Sequence, residues 1–360
     1  MSADYTQKSK EITEILLVWY HKNKRVFPFR GTRDPYRVWL SEIMLQQTRT
    51  ETAGPYYERF LERFPDVFAL ARASEEEVLK AWEGLGYYTR ARNLHKTAKL
   101  VAGMGGIFPD TAEGLQALPG IGPYAAAAVA SIAFDEPVPA MDGNLNRVIS
   151  RLYRVSEDAG SPKGKKILRE LGFSLMPRTG AGDMNQALMD LGATICLPGT
   201  PECAACPLSA LCDANLLDDP VNFPVLKAKP QPKQVPVAVV IAHHGGKVLL
   251  QKRREALLRG LYVFVLNEGD DSETGALSAL SKLHLTAQNI KQVSSARHVF
   301  THRVWQMRIY LAEVSEPRIT DDLVLTDEKA LSALPLPTAM GKARELAMAF
   351  LRGEMDIRGL

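Results

Sequence analysis

Two rhythms of apolar residues divide this chain. From residue 5 to about residue 216 they recur every three or four positions, the spacing that lays one face of an α-helix against a core. The pattern predicts helices over residues 11–21, 35–46, 74–85, 89–104, 111–118, 124–134, 145–153, 163–175 and 184–195, and Thr48-Arg-Thr-Glu51 reads as a capping box opening one more. Residues 217–235 are rich in proline and poor in helix signal, which suits an extended linker. Beyond it the rhythm shortens. VPVAVVIAHH, a Gly245-Gly246 turn and KVLLQKRR read as a β-hairpin, with further strands near Leu261, Ser294 and Trp305 and helices near Thr274 and Ala339. The expected fold is therefore multi-domain, with an all-α domain over 1–216 and an α+β domain over 236–360.

A length of 360 residues agrees with two cores, and 46% hydrophobic against 24% charged residues describes a folded chain rather than a disordered one. With 44 basic and 41 acidic residues the net charge is only +3, so any surface for an anionic partner has to be local. Neither a membrane-length apolar run nor an apolar signal core in MSADYTQKSKE is visible, which predicts a cytoplasmic protein without a membrane partner.

The cysteines alter the picture most. All four, Cys196, Cys203, Cys206 and Cys212, fall in one short stretch with six, two and five residues between them. A disulfide framework would spread its cysteines through the chain, so they read as one metal site. Structural zinc favours two close pairs and only Cys203 and Cys206 form one, so the spacing favours an iron-sulfur cluster over zinc.

Three further features carry chemistry. Leu118-Pro-Gly-Ile-Gly-Pro-Tyr124 lies between two predicted helices. It reads either as a plain glycine turn or as a helix-hairpin-helix anchor whose backbone N–H groups, at Gly120 and Gly122, hold a phosphate. Glu42 sits among Trp39, Ile43, Met44 and Leu45, where apolar surroundings would raise its pKa and make it a proton donor; a surface ion pair is the plainer alternative. Asp142 reads as a helix N-cap, and the same N–H dipoles would keep it ionised beside a developing cation.

These features, in this order, resemble the A/G-specific adenine DNA glycosylases, the MutY family of the helix-hairpin-helix DNA glycosylase superfamily. The resemblance rests on VWLSEIMLQQT, GLGYYTRARNLHK, LPGIGPY, DGN, MNQALMDLGA and the cysteine loop, and it covers nearly the whole chain. It implies a monofunctional, monomeric bacterial enzyme of base excision repair that removes adenine mispaired with 8-oxoguanine or guanine in double-stranded DNA. It also implies a 4Fe-4S cluster on the four cysteines and catalytic roles for Glu42 and Asp142, supported by Tyr124 and Asn144. Arg30 and Gln186 would read the extruded adenine, Gln47 would wedge into the stack, and Tyr87 would intercalate beside the lesion.

The C-terminal part resembles the Nudix-like recognition domain of the same enzymes, with Phe300, Thr301 and His302 where the family usually carries Phe-Ser-His to read 8-oxoguanine. Thr301 keeps the hydroxyl and adds a methyl. Other departures are Phe29 where Trp is usual, Ala125 and Ala127 in a Thr-x-Gly stretch, and Val265 in place of Pro. An endonuclease III-like glycosylase with lyase activity is the nearest alternative, but it needs a lysine where Tyr124 stands. A Nudix hydrolase would need a glutamate-rich metal helix that DSETGALSALSKL lacks, and a non-catalytic lesion-binding module would have no use for Glu42 and Asp142.

Overall fold

The structure, a computed structural model, describes residues 3–227 and 231–355. It separates into two compact units, Met1–Ala73 with Thr89–Ala228, and Ser74–Tyr88 with Lys229–Leu360. The first unit is helical: α1 (Ala3–Asn23), α2 (Pro35–Leu45), α3 (Thr50–Arg63) and α4 (Val67–Arg72) lead, while α5 (Glu75–Ala81) belongs to the second unit. Then follow α6 (Thr89–Gly103), α7 (Ala112–Gln116), α8 (Pro123–Phe134), α9 (Gly143–Leu152), α10 (Pro162–Ser174), α11 (Ala181–Thr194) and, after two 3-10 turns in the cysteine loop, α12 (Asp213–Leu216).

The periodic segments became helices at nearly the expected places, and the differences lie at caps. Helix α3 starts at Thr50 with Arg49 as an N-cap that makes no side-chain bond, so Thr48 to Glu51 is not a capping box. The Thr48 hydroxyl turns to the Gln46 carbonyl instead. The capping box lies at Ser74, whose side chain accepts from the Glu77 N–H while Glu77 returns the bond. Helix α4 was not expected; its signal was Asp66, which accepts from the Ala69 N–H.

Residues 228–230 of the expected linker lie outside the described residues. Before them the chain packs on the helical unit rather than running free: Phe223 is buried in that unit's core, and Arg151 donates to the carbonyls of Pro220 and Phe223. A buried aromatic ring and two satisfied carbonyls outweigh the extended preference of the prolines.

In the second unit β1 (Lys233–His244), β2 (Lys247–Lys252), β3 (Tyr262–Val263), β4 (Val265–Glu268), β5 (Ala287–Val299), β6 (Arg303–Val314) and β7 (Leu323–Thr326) form one sheet, with β1 parallel to β6 and β5 antiparallel to it. Helices α13 (Glu273–Ser281), α14 (Glu328–Ala333) and α15 (Gly341–Leu351) complete the unit. Alternate residues of β1 explain its unbroken apolar run. Val237, Val239 and Ile241 pack on the α15 side, and Ala238, Val240 and Ala242 on the α13 side, so both faces are buried. The turn between β1 and β2 takes positive φ at Gly245 and Gly246, as the hairpin reading requires. The expected fold class is what the molecule shows, with helices on both sides of the second sheet.

Candidate active site

Helix α2 is started by Asp34, whose carboxylate accepts from the Tyr36 and Arg37 N–H groups, and by Pro35 at its first position. This orientation buries the face bearing Trp39, Ile43 and Met44, and Glu42 goes in with it at 7% exposure. The surface ion-pair reading of Glu42 is thereby overturned. Its direct partner among the described residues is Tyr124, in the first turn of α8, whose hydroxyl donates to Glu42 Oε2 at 2.7 Å. Burial pushes the Glu42 carboxyl up, and the Tyr124 hydrogen bond and Arg30 offset this only in part. Tyr124 is itself driven well above its ordinary range by burial and by Glu42.

Asp142 caps α9, accepting from the Leu145 N–H at 2.7 Å through Oδ1 and from Asn144 Nδ2 at 2.9 Å through Oδ2. Burial raises this carboxyl too, and the Leu145 N–H, the side chain and N–H of Asn144 and the Arg147 cation offset this only in part. The N-cap reading is what the structure shows, with the helix N–H groups aimed at the carboxylate. Glu42, Tyr124, Asp142, Asn144, Arg30 and Gln186 all line a single cavity of about 240 Å³. Arg30 does not reach into it freely: its two terminal nitrogens grip Asp190, each at 2.9 Å.

Residues that the sequence did not single out hold these groups. Arg147, buried on α9, donates to the Cys196 carbonyl at 2.7 Å, the Gly192 carbonyl at 2.6 Å and Asn144 Oδ1 at 2.9 Å, which joins the cysteine loop to the Asp142 partner. One turn on, Arg151 donates to the Leu197 carbonyl and to Cys196 Sγ at 3.3 Å. Two arginines four apart on an otherwise apolar helix face were the available signal. Helix α11 comes this close to α9 because Gly192 has no Cβ; one built there would lie 2.7 Å from Asn144 Cβ. Asp190 gathers Arg25 and Arg30 from the loop between α1 and α2.

The four cysteines line one apolar cavity with Val148, Leu152, Leu191 and Ile195. Among the described residues no three His, Cys, Asp or Glu side chains meet at a point that could hold a single ion. Burial pushes the Cys206 thiol up to about 11, so thiolates here require a cation to hold their charge.

Around the cavity lie the expected DNA contacts of this unit. Gly120 adopts φ +75°, and a Cβ there would come within 2.4 Å of Asn93 on α6, so this turn admits only glycine. The N–H groups of Gly120 and Gly122 have no acceptor among the described residues. Gln47 is exposed with φ +58° just past α2, where Arg90 closes the helix by donating to the Ile43 and Met44 carbonyls. Strain of this kind is held where a side chain must be presented outward.

The second unit contains the other three expected contacts and Tyr87. Tyr87, 47% exposed at φ +47°, has its hydroxyl 3.2 Å from Thr301 Oγ1. Phe300 packs edge-on to Trp305 and His298, and the turn is closed by its N–H on the Arg303 carbonyl. Thr301 and His302 are exposed at its tip. The same unit ties Glu83 to Arg344 at 2.7 Å and Glu76 to Lys252 at 2.6 Å.

Comparison with known proteins agrees with this anatomy. The family model described as HhH-GPD superfamily base excision DNA repair protein matches residues 40–173, and that of the NUDIX domain matches residues 237–346. An adenine DNA glycosylase of Arabidopsis thaliana is 37% identical over 88% of this chain, which spans 59% of that protein's length. The human adenine DNA glycosylase is 33% identical over 82% of this chain and 65% of its own length. Among solved structures a thermostable thymine-DNA glycosylase aligns with TM-score 0.55 and 31% identity over 59% of this chain and 98% of its own. Endonuclease III trapped as a covalent intermediate with DNA shares the fold, with TM-score 0.51 and 20% identity over 61% of this chain and 99% of its own. An adenine DNA glycosylase of Buchnera aphidicola from Acyrthosiphon pisum is 32% identical over 92% of this chain and 94% of its own length, and with both family models in the order that the fold displays, the chain belongs to the adenine DNA glycosylase family.

Proposed function

We propose that the protein is a monofunctional, monomeric, cytoplasmic DNA glycosylase that hydrolyses the N-glycosidic bond of adenine mispaired with 8-oxoguanine or guanine. The observation that carries this reading is one cavity holding two carboxyls in opposite settings. Glu42 is buried with the neutral Tyr124 hydroxyl as its donor among the described residues and Arg30 nearby, while Asp142 sits at a helix N-terminus with the Leu145 N–H, the Asn144 N–H and side chain, and the Arg147 cation. Burial raises both carboxyls, and Asp142 has more donors to offset it, so in this reading Glu42 is the acid and Asp142 the anion.

The mismatched adenine leaves the stack, at a cost of a few kcal/mol that is least for a weak pair, and enters the cavity with Arg30 and Gln186 along its edge. Glu42 gives its proton to the ring nitrogen N7, and Tyr124 holds the other carboxyl oxygen. The base then departs as a neutral group. Asp142 stabilises, or briefly bonds, the sugar cation, and water completes the abasic site. The phosphates are held by the Gly120 and Gly122 amides, with Gln47 wedged in the stack. A lyase would need an amine to form a Schiff base, and no lysine is among the residues lining this cavity.

Single-turnover measurement on duplexes with adenine opposite 8-oxoguanine, guanine or thymine tests the proposal. Strand breaks should form only after alkali treatment, and only from the first two; breaks without alkali would establish a lyase.

The cysteine loop fits a 4Fe-4S cluster. The donor set is four sulfurs in an apolar pocket, and the Arg151 cation beside Cys196 Sγ compensates thiolate charge. The cluster's role here is structural, closing residues 196–212 against α9 and α11. Purified protein should be yellow-brown with about four irons per chain, and Cys203→Ser should lower both iron content and unfolding temperature. A colourless protein with one zinc refutes the assignment.

Residues 236–360 act in this proposal as the lesion reader, through Phe300, Thr301 and His302, with Tyr87 intercalated beside the lesion. One neutral hydrogen bond contributes about 0.5 to 1.5 kcal/mol. Thr301→Val should therefore erode the binding preference for 8-oxoguanine over guanine by roughly three- to tenfold, whereas Thr301→Ser should be silent. Dissociation constants for both duplexes decide this, and an unchanged ratio in Thr301→Val removes Thr301 from recognition.

A further inference from the structure

A base drawn out of a duplex stays tethered by its sugar, so the sugar-phosphate chain lies across the opening through which the base came. Once the glycosidic bond is broken, the free base has either to wait for the DNA to leave or to depart by another way. The first unit has a second cavity of about 280 Å³ beside the catalytic one. The two share Arg25, Arg30, Gly31, Thr32, Ile132 and Gln186 as lining residues, so they are neighbouring chambers. The far chamber is walled by the aromatic rings of Tyr20 and Phe27, and Lys24 and Val26, both exposed, stand at its rim. A water takes up about 30 Å³ of liquid, so each chamber has room for several waters or for a flat base in their place.

Two of the six shared residues differ sharply in how they are held, Arg30 firmly and Gln186 loosely. Arg30 is fixed: its fork is bidentate on the buried Asp190 at 2.9 Å twice over and donates to the Tyr20 hydroxyl at 3.1 Å. Gln186 has two long hydrogen bonds among the described residues. Its Oε1 accepts from Tyr20 at 3.2 Å, and its Nε2 donates to the Gly182 carbonyl at 3.3 Å. Neutral bonds of that length hold a side chain weakly, so a change of the Gln186 rotamer gives up little.

We propose that the second chamber is a binding and exit site for the free purine base, which passes Gln186 after cleavage and leaves while the abasic strand is still bound. This inference rests on the glycosylase reading, and the experiment separates the two. Protein in excess is mixed with a duplex carrying labelled adenine opposite 8-oxoguanine. Abasic sites are counted after an alkaline quench, and free adenine is collected by rapid ultrafiltration that retains the protein-DNA complex.

In the wild type, adenine should pass the filter at the rate of cleavage while the duplex stays behind. Lys24→Trp and Val26→Trp place an indole at the rim of the far chamber, on exposed positions that leave the fold intact. Each should cleave normally and hold adenine roughly tenfold longer, as expected when product release becomes limiting. Adenine and duplex leaving together in the wild type, or both variants releasing adenine at the wild-type rate, overturns the exit alone. An absence of abasic sites overturns the glycosylase reading, and the exit with it.

Discussion

Glu42→Gln should lower adenine release by about 100-fold or more, or about 3 kcal/mol in the barrier, because the amide fills the same space beside Tyr124 but has no proton of carboxyl acidity to give. Binding of mismatched duplex should stay near wild type, since Glu42 faces the cavity and touches no expected phosphate contact. The same substitution should stabilise the fold. The carboxyl is raised by burial, so the native protein retains a proton that the unfolded chain gives up, and native stability drops as pH climbs above the ordinary carboxylate range. Gln has no such loss. The melting temperature of Glu42→Gln should therefore exceed that of the wild type at pH 7, and the gap should close at pH 4. The wild-type rate should also fall at alkaline pH as Glu42 ionises and at acid pH as Asp142 is protonated, a bell that loses its alkaline limb in Glu42→Gln. Adenine release by that variant at a near wild-type rate would remove Glu42 from the acid role.

Much of this molecule was legible in one dimension because its helices are amphipathic and its special turns need special residues. The Gly120 turn is an example: only a residue without a Cβ can pass Asn93, and the sequence displays that need openly. Glu42 was legible for a related reason, as a charge among Trp39, Ile43 and Met44 has few places to go except a buried site. Phe223 was not. Its burial depends on a core built from helices far away in sequence, and a proline-rich neighbourhood reads as linker until that surface exists. The division of the chain was hidden for the same reason: residues 74–88 carry helical periodicity like their neighbours, yet Lys80, Glu83 and Tyr88 bond to residues 332–344. Asp190 shows the limit most clearly. Within α11 it looks like an ordinary helix-surface acid, and only the fold brings Arg25 and Arg30 to it.

Arg147→Met should damage the fold and the chemistry together, through different bonds. The guanidinium satisfies the Cys196 and Gly192 carbonyls and Asn144 Oδ1, and a buried acceptor left without a donor costs about 1 to 3 kcal/mol. Part of that loss is offset, because burial already depresses the Arg147 pKa and a methionine need not be desolvated. The net expectation is a fall of roughly 5 °C in melting temperature. Chemistry suffers through Asn144, which Arg147 holds by Oδ1 so that Nδ2 points at Asp142 Oδ2. Freed from Arg147, the amide can turn over and present its oxygen to the carboxylate. Asp142 would then lose one of the donors that offset its burial, and the acid limb of the pH profile should move to higher pH. Asn144→Ala separates the effects, since it removes the donor to Asp142 but leaves both carbonyls paired with Arg147. It should share the shifted acid limb and the slower release while keeping wild-type iron content and nearly wild-type melting. If Arg147→Met, counted per iron-loaded molecule, releases adenine with the wild-type rate and pH profile, then Arg147 supports the cysteine loop alone and has no part in orienting Asp142.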